Sequence, residues 1–189
     1  MLPILLDLSL PILTQRLAIR PMQSGDGKQL FAQVNSNRKE LSKWLPWVDF
    51  VRCEEDSEIT TRTFYADFIL RKAFHFTVCL NEQIIGGVGL SYINWKIRRM
   101  NLGYWCSVQH QGKGYITEAV SAMIDFAFYQ LNGQKLQILC DSENIKSIGV
   151  AERCGFVLES EALGILDHPG NGELRLGRRY AKYNPLPNI

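Results

Sequence analysis

Apolar and polar residues alternate along several short stretches of the chain, and this period of two predicts β-strands. The first such stretch, Leu17 to Arg20, stops at Pro21. Asn81-Glu82 provides turn residues that join two later stretches into a predicted hairpin. The other predicted strands cover residues 74–80, 84–93, 101–108, 135–140, 156 onward and 173–183.

A period of 3.6 residues predicts helices between and after these strands. The clearest helix runs from Ile116 to Leu131 and is ended by Asn132-Gly133. Ser57 is a candidate cap for another helix that continues to about Lys72. Shorter helices are predicted over residues 25–36, 39–44 and 142–154. This order of elements predicts an α/β fold, with one mixed sheet and helices on both faces.

Composition and charge fit a soluble globular protein, with 46% hydrophobic and 21% charged residues. The formal net charge of +2 is too small to indicate nucleic acid as the main partner. Residues 1–13 are apolar, but they lack a basic start and are too short to span a bilayer. We interpret them as a lead-in strand, or as an arm on a neighbouring copy in a homodimer, ahead of a single domain over residues 14–189. No membrane partner and a cytoplasmic location are expected.

Cysteine and histidine spacing predicts no metal site. The chain has five cysteines and no CxxC pair, and Cys79, Cys106 and Cys140 lie in strand-like stretches. This pattern favours buried, reduced thiols. The three histidines are scattered along the chain, so a zinc site is not expected.

The segment from residue 108 to residue 131 reads as strand, Gly-x-Gly and helix. Gly112 and Gly114 allow the backbone to approach a ligand, and the helix start would bind an anion such as pyrophosphate. Thr117 would add a hydroxyl donor, and Lys113 either a charge or a solvated side chain. A P-loop would need a Gly-Lys-Ser/Thr that is missing, and a dinucleotide site would need a third glycine at Thr117, although Asp141 ends the next strand. From this pattern alone, a structural turn and a phosphate site remain open.

The wider context resembles a known family. Gln109-x-x-Gly112-x-Gly114 resembles the Q/R-x-x-G-x-G/A signature of the GNAT superfamily of N-acetyltransferases. Asn144-Ile-Lys-Ser147, followed by Gly155-Phe156, resembles the N-x-x-S…GF segment of that family. Residues 14–21 and 34–47 are similar to the RimJ/RimL-type branch, which acetylates α-amino groups of ribosomal proteins and has relatives that act on other amines. The resemblance covers residues 14–183.

This resemblance implies a GNAT fold, a mostly antiparallel mixed sheet whose two central parallel strands splay apart to hold acetyl-CoA as cosubstrate. The strand that ends at Val108 would pair with the pantetheine arm. Gln109 would brace the loop, and Asn144 would either bind the pantetheine or cap the next helix. The pyrophosphate would lie on backbone N–H groups of Gln111, Gly112, Lys113, Gly114, Tyr115, Ile116 and Thr117.

The resemblance also implies direct transfer of the acetyl group to a primary amine in a ternary complex, with a ribosomal protein N-terminus as one possible acceptor. Ser147 is the candidate general acid that assists departure of the thiolate, or else an ordinary polar residue of a first helical turn. Many relatives use a tyrosine slightly further along, and the chain has none between residues 131 and 179.

The general base is left open among Asp167, Glu161, Glu118 and no dedicated base, since an α-amine loses its proton near pH ~8. Glu118 resembles an architectural residue of the family, and His168 reads as a loop residue. Trp44 and Trp47 either wall the acceptor cleft or fill a separate small core.

Two other functions remain alternatives to acetylation of a protein N-terminus. One is transfer to a small amine, such as a polyamine or an antibiotic. Acidic residues over 54–58 would suit a polyamine, or form a solvated helix start. The other is a non-catalytic module that only binds acetyl-CoA, which the missing base favours. The order of the motifs argues against a dinucleotide-binding oxidoreductase.

Overall fold

The computed structural model describes residues 2–166 and 174–185. Eight strands form one sheet in the order β1-β2-β3-β4-β5-β6-β8-β7, and β5–β6 is its parallel pair. The other neighbouring strands are antiparallel. The strands are β1 (Ile12–Leu13), β2 (Ala18–Pro21), β3 (Phe74–Leu80), β4 (Gln83–Asn94), β5 (Arg99–Cys106), β6 (Lys135–Asp141), β7 (Val157–Leu163) and β8 (Leu176–Tyr183).

Four α-helices accompany the sheet in the described residues, which confirms the predicted α/β class. They are α1 (Gly27–Leu41), α2 (Glu54–Ile69), α3 (Tyr115–Asp125) and α4 (Ile145–Arg153). A π-helical turn, Phe126–Gln130, continues α3, and short 3₁₀ turns cover Pro3–Leu5, Pro46–Phe50 and Val108–His110. The π turn extends α3 close to the predicted end at residue 131.

Three helix boundaries differ from the sequence prediction. One helix, α1, replaces the two predicted over 25–36 and 39–44, because its buried face continues through Asn37 to Leu41. The cap assigned to Ser57 is wrong: α2 begins three residues earlier, where its acidic first turn matches the positive end of the helix dipole. α4 begins at Ile145 instead of residue 142, after Asn144 as N-cap.

Helices cover both faces of the sheet. Tyr104 and Trp105 are neighbours on β5, and consecutive strand residues point to opposite faces. The Tyr104 hydroxyl reaches Ser147 on α4, whereas the Trp105 ring packs on Trp47 with 5.9 Å between ring centroids. The face with α3 and α4 carries the main core, and the face with α1 carries a second cluster built around Val34.

The two parallel strands separate after a short contact. β5 and β6 pair only over Arg99–Asn101 and Lys135–Gln137. Beyond these residues β5 stays paired with β4, and β6 stays paired with β8 up to Asp141. A wedge therefore opens between residues 102–106 and 138–141, as expected for splayed central strands.

The N-terminal arm packs on its own domain. Leu6, Leu8, Leu10 and Ile12 lie against the main core, and the Arg71 guanidinium donates to the Leu6 carbonyl at 2.9 Å. The end of this segment, β1, pairs with β2 in the sheet. The homodimer stays a prediction. Within residues 2–166 and 174–185, none of the helices combines the length and apolar character needed to traverse a bilayer.

Candidate active site

A cleft of about 690 Å³ opens at the wedge. Its walls come from the end of α1, from β5, from the loop before α3, and from the first turns of α3 and α4. A smaller cavity of about 140 Å³ adjoins it between the separated parts of β5 and β6. The two share five lining residues, Trp44, Leu45, Tyr104, Asn144 and Ser147. The wedge thus connects two compartments through the edge of α4.

The glycine loop lies at one end of this cleft. Gly112 and Gly114 have φ of 74° and 80°, a left-handed conformation that disfavours side chains, and Gly114 is the N-cap of α3. A Cβ on Gly112 would meet no atom within 4 Å, so this backbone borders open space. The first N–H groups of α3 have no carbonyl partner inside the helix. The loop therefore has the form of an anion cradle.

A buried side chain of α1 holds the start of this loop. Asn37 is 3% exposed, and its Oδ1 accepts from the Val108 N–H at 2.7 Å. The Val108 carbonyl accepts from the Gln111 N–H at 3.2 Å. The Val108 N–H is therefore already used within the protein, and the pairing of this strand with pantetheine stays a prediction. Open backbone groups lie earlier on β5, beyond its last pair with β6.

Gln111, and not Gln109, braces the loop. The Gln111 Nε2 donates to the Cys106 carbonyl at 3.2 Å, and its Oε1 accepts from Lys146 Nζ at 2.8 Å. Gln109 is exposed and does not line the cleft, and the side chain of Lys113 is likewise exposed outside it. The other predicted cofactor residues do line the cleft: Val108, Gln111, Gly112, Gly114, Tyr115, Ile116, Thr117 and Asn144.

Glu118 ties the segment before β2 to α3. Its carboxylate accepts from the Thr14 hydroxyl at 2.6 Å and pairs with Arg16 at 2.7 Å. Arg16 also donates to the Lys113 carbonyl at 3.0 Å and lies over the Tyr115 ring. Burial alone would raise the pKa of Glu118, but these hydrogen bonds outweigh it and lower the pKa. Glu118 thus serves as an anchor for the glycine loop.

Two basic side chains that were not selected from the sequence line the cleft. Lys146 and Arg153 lie seven residues apart, two turns along the same face of α4. Arg153 approaches the Thr117 hydroxyl at 3.5 Å across the cleft from α3. The spacing of two basic residues after the Asn144 motif was the signal that could have identified them.

Ser147 lies in the first turn of α4, at the junction of the two compartments. Its N–H donates to Asn144 Oδ1 at 3.1 Å, so Asn144 acts as a helix cap. The Ser147 Oγ lies 3.1 Å from the Tyr104 hydroxyl, which also donates to the Ser147 carbonyl at 2.9 Å. Sequence reasoning missed Tyr104 because it searched for a tyrosine only after residue 131.

The family model for the acetyltransferase (GNAT) domain matches residues 16–157. The chain belongs to this family. It is an acetyl-CoA-dependent N-acetyltransferase.

Two curated relatives that are named for different acceptors resemble this GNAT chain at nearly the same sequence identity. It is 28% identical to the ribosomal-protein-serine acetyltransferase of Escherichia coli, over 77% of this chain and 82% of the relative. It is 29% identical to the spermidine N(1)-acetyltransferase of Vibrio cholerae, over 78% and 82%. The solved structure of RimL, a ribosomal alpha-N-protein acetyltransferase in complex with coenzyme A, has a TM-score of 0.86 at 19% identity, over 93% and 98% of the two chains. This likeness shows the fold.

The candidate bases of this acetyltransferase lie away from the cleft or outside the described residues. Glu161 pairs with Arg178 on the outer strands, and Glu118 pairs with Arg16. Asp167 and His168 lie outside the described residues. Two carboxylates do line the compartments, and each pairs with a cation at 2.9 Å: Glu40 with Lys43, and Asp141 with Arg175.

The two tryptophans of the early helical region have different positions. Trp44 lines both compartments, and the Arg175 guanidinium lies 5.5 Å from its ring centroid. Trp47 packs on Trp105 in the second cluster instead. Trp47 thus fills the separate small core, and a role of Trp44 in the acceptor cleft stays a prediction.

The thiols of this GNAT protein are not arranged for metal binding or for nucleophilic attack. Among the described residues, no three His, Cys, Asp or Glu side chains cluster as metal ligands. The five cysteines are free, and Cys106 lines the cleft. Burial raises the pKa of the Cys106 thiol to about 11, so it stays protonated near neutral pH.

Proposed function

We propose that this acetyltransferase acts on the α-amino group at the N-terminus of a protein or peptide, by direct attack on acetyl-CoA in a ternary complex. The observation that carries this proposal is the charge of the wedge. Within the described residues, its lining contains two acidic side chains, Glu40 and Asp141, and each is paired with a cation. A site of this kind suits an acceptor with one amine better than a polycation.

The acidic residues over 54–58 do not alter this charge. They belong to the first turns of α2 and do not line either compartment. Glu58 accepts from Arg62 and from the N–H groups of Gly25 and Gly27, so it joins α2 to the start of α1. Its bond from Arg62, followed by these backbone bonds, lowers the pKa of Glu58 to about 2. Glu58 of the acidic cluster that would have favoured a polyamine is therefore a structural contact, and the cluster lies outside both compartments.

Acetyl-CoA would occupy the larger compartment. Its pyrophosphate would lie on the glycine loop, and Lys146 and Arg153 would add positive charge beside it. The pantetheine arm would follow the open edge of β5 toward Ser147. The smaller compartment and Trp44 would receive the acceptor. A ribosomal protein N-terminus beginning with Ser or Ala is our preferred acceptor, because a curated relative is named a ribosomal-protein-serine acetyltransferase and a solved structure a ribosomal-protein-S5-alanine acetyltransferase.

The reaction needs an assisted leaving group more than a strong base. An α-amine is substantially neutral near pH ~8, so it attacks the thioester carbonyl without a dedicated base. As the tetrahedral intermediate collapses, the C–S bond electrons pass to sulfur, and the Ser147 hydroxyl donates a hydrogen bond to it. The nitrogen gives its surplus proton to water in the open cleft, and the departing thiolate takes a proton from water, so that the products are an amide and the free thiol of coenzyme A. The protonated Cys106 offers no acetyl-cysteine route, which favours direct transfer.

The test is release of thiol from acetyl-CoA with a panel of acceptors. The panel contains peptides beginning with Ser or Ala, small amines, and spermidine. We expect turnover with the peptides, and a kcat about 10²-fold lower for Ser147→Ala. Ser9→Ala is the matched control, because Ser9 is exposed, lines neither compartment and bonds to Gln130 through its backbone N–H.

Each alternative function has its own outcome. Turnover with spermidine and not with peptides would move the acceptor to the small-amine class. Acetyl-CoA binding by calorimetry without turnover of any acceptor would overturn the enzymatic proposal. A cytoplasmic location is also proposed, and periplasmic recovery of the protein after cell fractionation would contradict it.

A further inference from the structure

Tyr104 connects β5 to α4 across the wedge. Its side chain lines both compartments, and its hydroxyl meets two oxygens of one residue. Tyr104 Oη lies 2.9 Å from the Ser147 carbonyl oxygen and 3.1 Å from the Ser147 Oγ. The two residues are 43 positions apart in the chain. Their contact places a second hydroxyl directly behind the candidate acid.

The number of protons at this contact limits what each hydroxyl can do. A tyrosine hydroxyl has one proton, and two acceptors of Ser147 compete for it. When the tyrosine proton points to the Ser147 carbonyl, the hydrogen bond between the two hydroxyls is donated by Ser147. When it points to Ser147 Oγ, the serine proton is directed away from Tyr104 and toward the cleft. Rotation of a single O–H bond therefore changes the direction of the serine proton.

We infer that Tyr104 is a positioning residue for acetyl transfer, which directs the Ser147 hydroxyl toward the leaving sulfur and stabilises the charge that builds on Ser147 Oγ. This inference rests on the proposed function. As the C–S bond breaks, Ser147 donates to sulfur, and Tyr104 turns its proton from the Ser147 carbonyl to the Oγ. Tyr104 and Ser147 both keep their protons, since each only donates a hydrogen bond, and water takes the proton lost by the amine and supplies the one gained by the thiol.

The environment of Tyr104 suits this role. Burial raises the pKa of Tyr104 well above its ordinary value, and the bond to Ser147 offsets only part of this rise. Tyr104 therefore stays protonated across the range in which amines react, and it remains a donor. A buried donor that stays in place costs no reorganisation during the reaction.

The test compares Tyr104→Phe, Ser147→Ala and the double variant by steady-state kinetics. Phenylalanine keeps the ring and removes only the hydroxyl. We expect kcat to fall about tenfold to a hundredfold in Tyr104→Phe, with the KM for acetyl-CoA changed by less than about twofold. The double variant should be no slower than Ser147→Ala, because Tyr104 acts through Ser147. Tyr180→Phe is the control: it removes another tyrosine hydroxyl, from a side chain of the main core that lines neither compartment.

The outcomes separate this inference from the proposed function. If wild type is active and Tyr104→Phe is equally fast, the role of Tyr104 is overturned and the proposed function is not. The same holds if the losses of kcat in the two single variants multiply in the double variant. A wild type without any turnover would overturn both proposals. Incorporation of a fluorinated tyrosine at position 104 keeps the hydroxyl while lowering its pKa. Because Tyr104 keeps its proton throughout, this variant should keep a kcat near that of wild type, and a fall as large as that of Tyr104→Phe would contradict the inference.

Discussion

At the scale of single residues, two glycines share an unusual backbone conformation. Gly112 and Gly25 both have positive φ, 74° and 96°, and a Cβ on either would meet nothing within 4 Å. They differ in location, because Gly112 lines the cleft and Gly25 lies at the start of α1. The same backbone conformation thus occurs once at the site and once away from it.

This pair allows strain to be separated from binding. Gly112→Ala and Gly25→Ala should each lower the free energy of unfolding by about 1–2 kcal/mol, because alanine disfavours the left-handed region. Only Gly112→Ala should also weaken acetyl-CoA binding, by about tenfold or more, since its methyl group projects toward the ligand. Urea denaturation and calorimetry measure the two effects. Equal acetyl-CoA affinities in both variants would show that the loop does not approach the cosubstrate.

The residue contacts that organise the site are those that the sequence could not reveal. Motif spacing located Ser147 and the glycines because the residues of each motif lie close together in the chain. Asn37 and Val108 are 71 positions apart, and Arg16 and Glu118 are 102 apart. No periodicity relates such positions, since their contact depends on how the elements pack. For the same reason no role was assigned to Asn37, which lies within a stretch similar to the RimJ/RimL-type branch, and Tyr104 was not selected as a site residue.

At the scale of elements, one ion-paired anchor connects the segment before β2 to the first turn of α3. Glu118 belongs to α3, whereas Thr14 and Arg16 belong to the segment between β1 and β2. Arg16 reaches past Glu118 to the Lys113 carbonyl, so the anchor fixes the glycine loop as well. Arg16 is 41% exposed and Glu118 18% exposed, which leaves the pair partly screened by solvent.

Glu118→Gln tests whether this glutamate is an anchor or the base. The folded-state pKa of Glu118 is lowered, so its stabilisation is complete above the ordinary glutamate pKa and is lost as pH falls through the folded value. Glu118→Gln should therefore be about 1 kcal/mol less stable than wild type at pH 7, and the difference should shrink below pH ~4. Thermal unfolding across pH measures it.

Kinetics complete this test. The kcat of Glu118→Gln at saturating acetyl-CoA and acceptor should remain near that of wild type, because the carboxylate is occupied by Thr14 and Arg16. A large fall in kcat with a changed acidic limb of the pH profile would identify Glu118 as the base instead. Glu55→Gln, at an exposed position of α2, is the control for stability.

Elements with a long, regular period were predictable, and their ends were less so. α3 has apolar residues on one continuous face, and the β3–β4 hairpin has an apolar stretch on each side of Asn81-Glu82, so both are confirmed. The start of α2 was misplaced because Ser57, a good capping residue, is instead fully buried inside the helix. At this position the packing of α2 on α1 outweighed the preference of serine for a helix cap.

At the scale of the whole molecule, the site follows from strand order. The sheet has one parallel pair, and that pair extends over only three residues of each strand before β6 continues with β8. Ligand sites of α/β sheets commonly lie at the carboxyl ends of strands where the topology changes. The strand pattern of the sequence predicted the elements, but the separation of β5 and β6 was expected only from the family resemblance. Pairing partners are set by the entire sheet.

The N-terminal arm offers the last prediction, which concerns the outer surface of the molecule. Leu8 packs on the main core, whereas Leu5 is 67% exposed. Leu8→Ser should lower the free energy of unfolding by about 1–2 kcal/mol, and Leu5→Ser should leave it unchanged. Light scattering should give the same mass for both variants and for wild type, because the arm is held by its own domain. A dimeric wild type that becomes monomeric in Leu5→Ser would show instead that the exposed leucines of the arm form an interface between two copies.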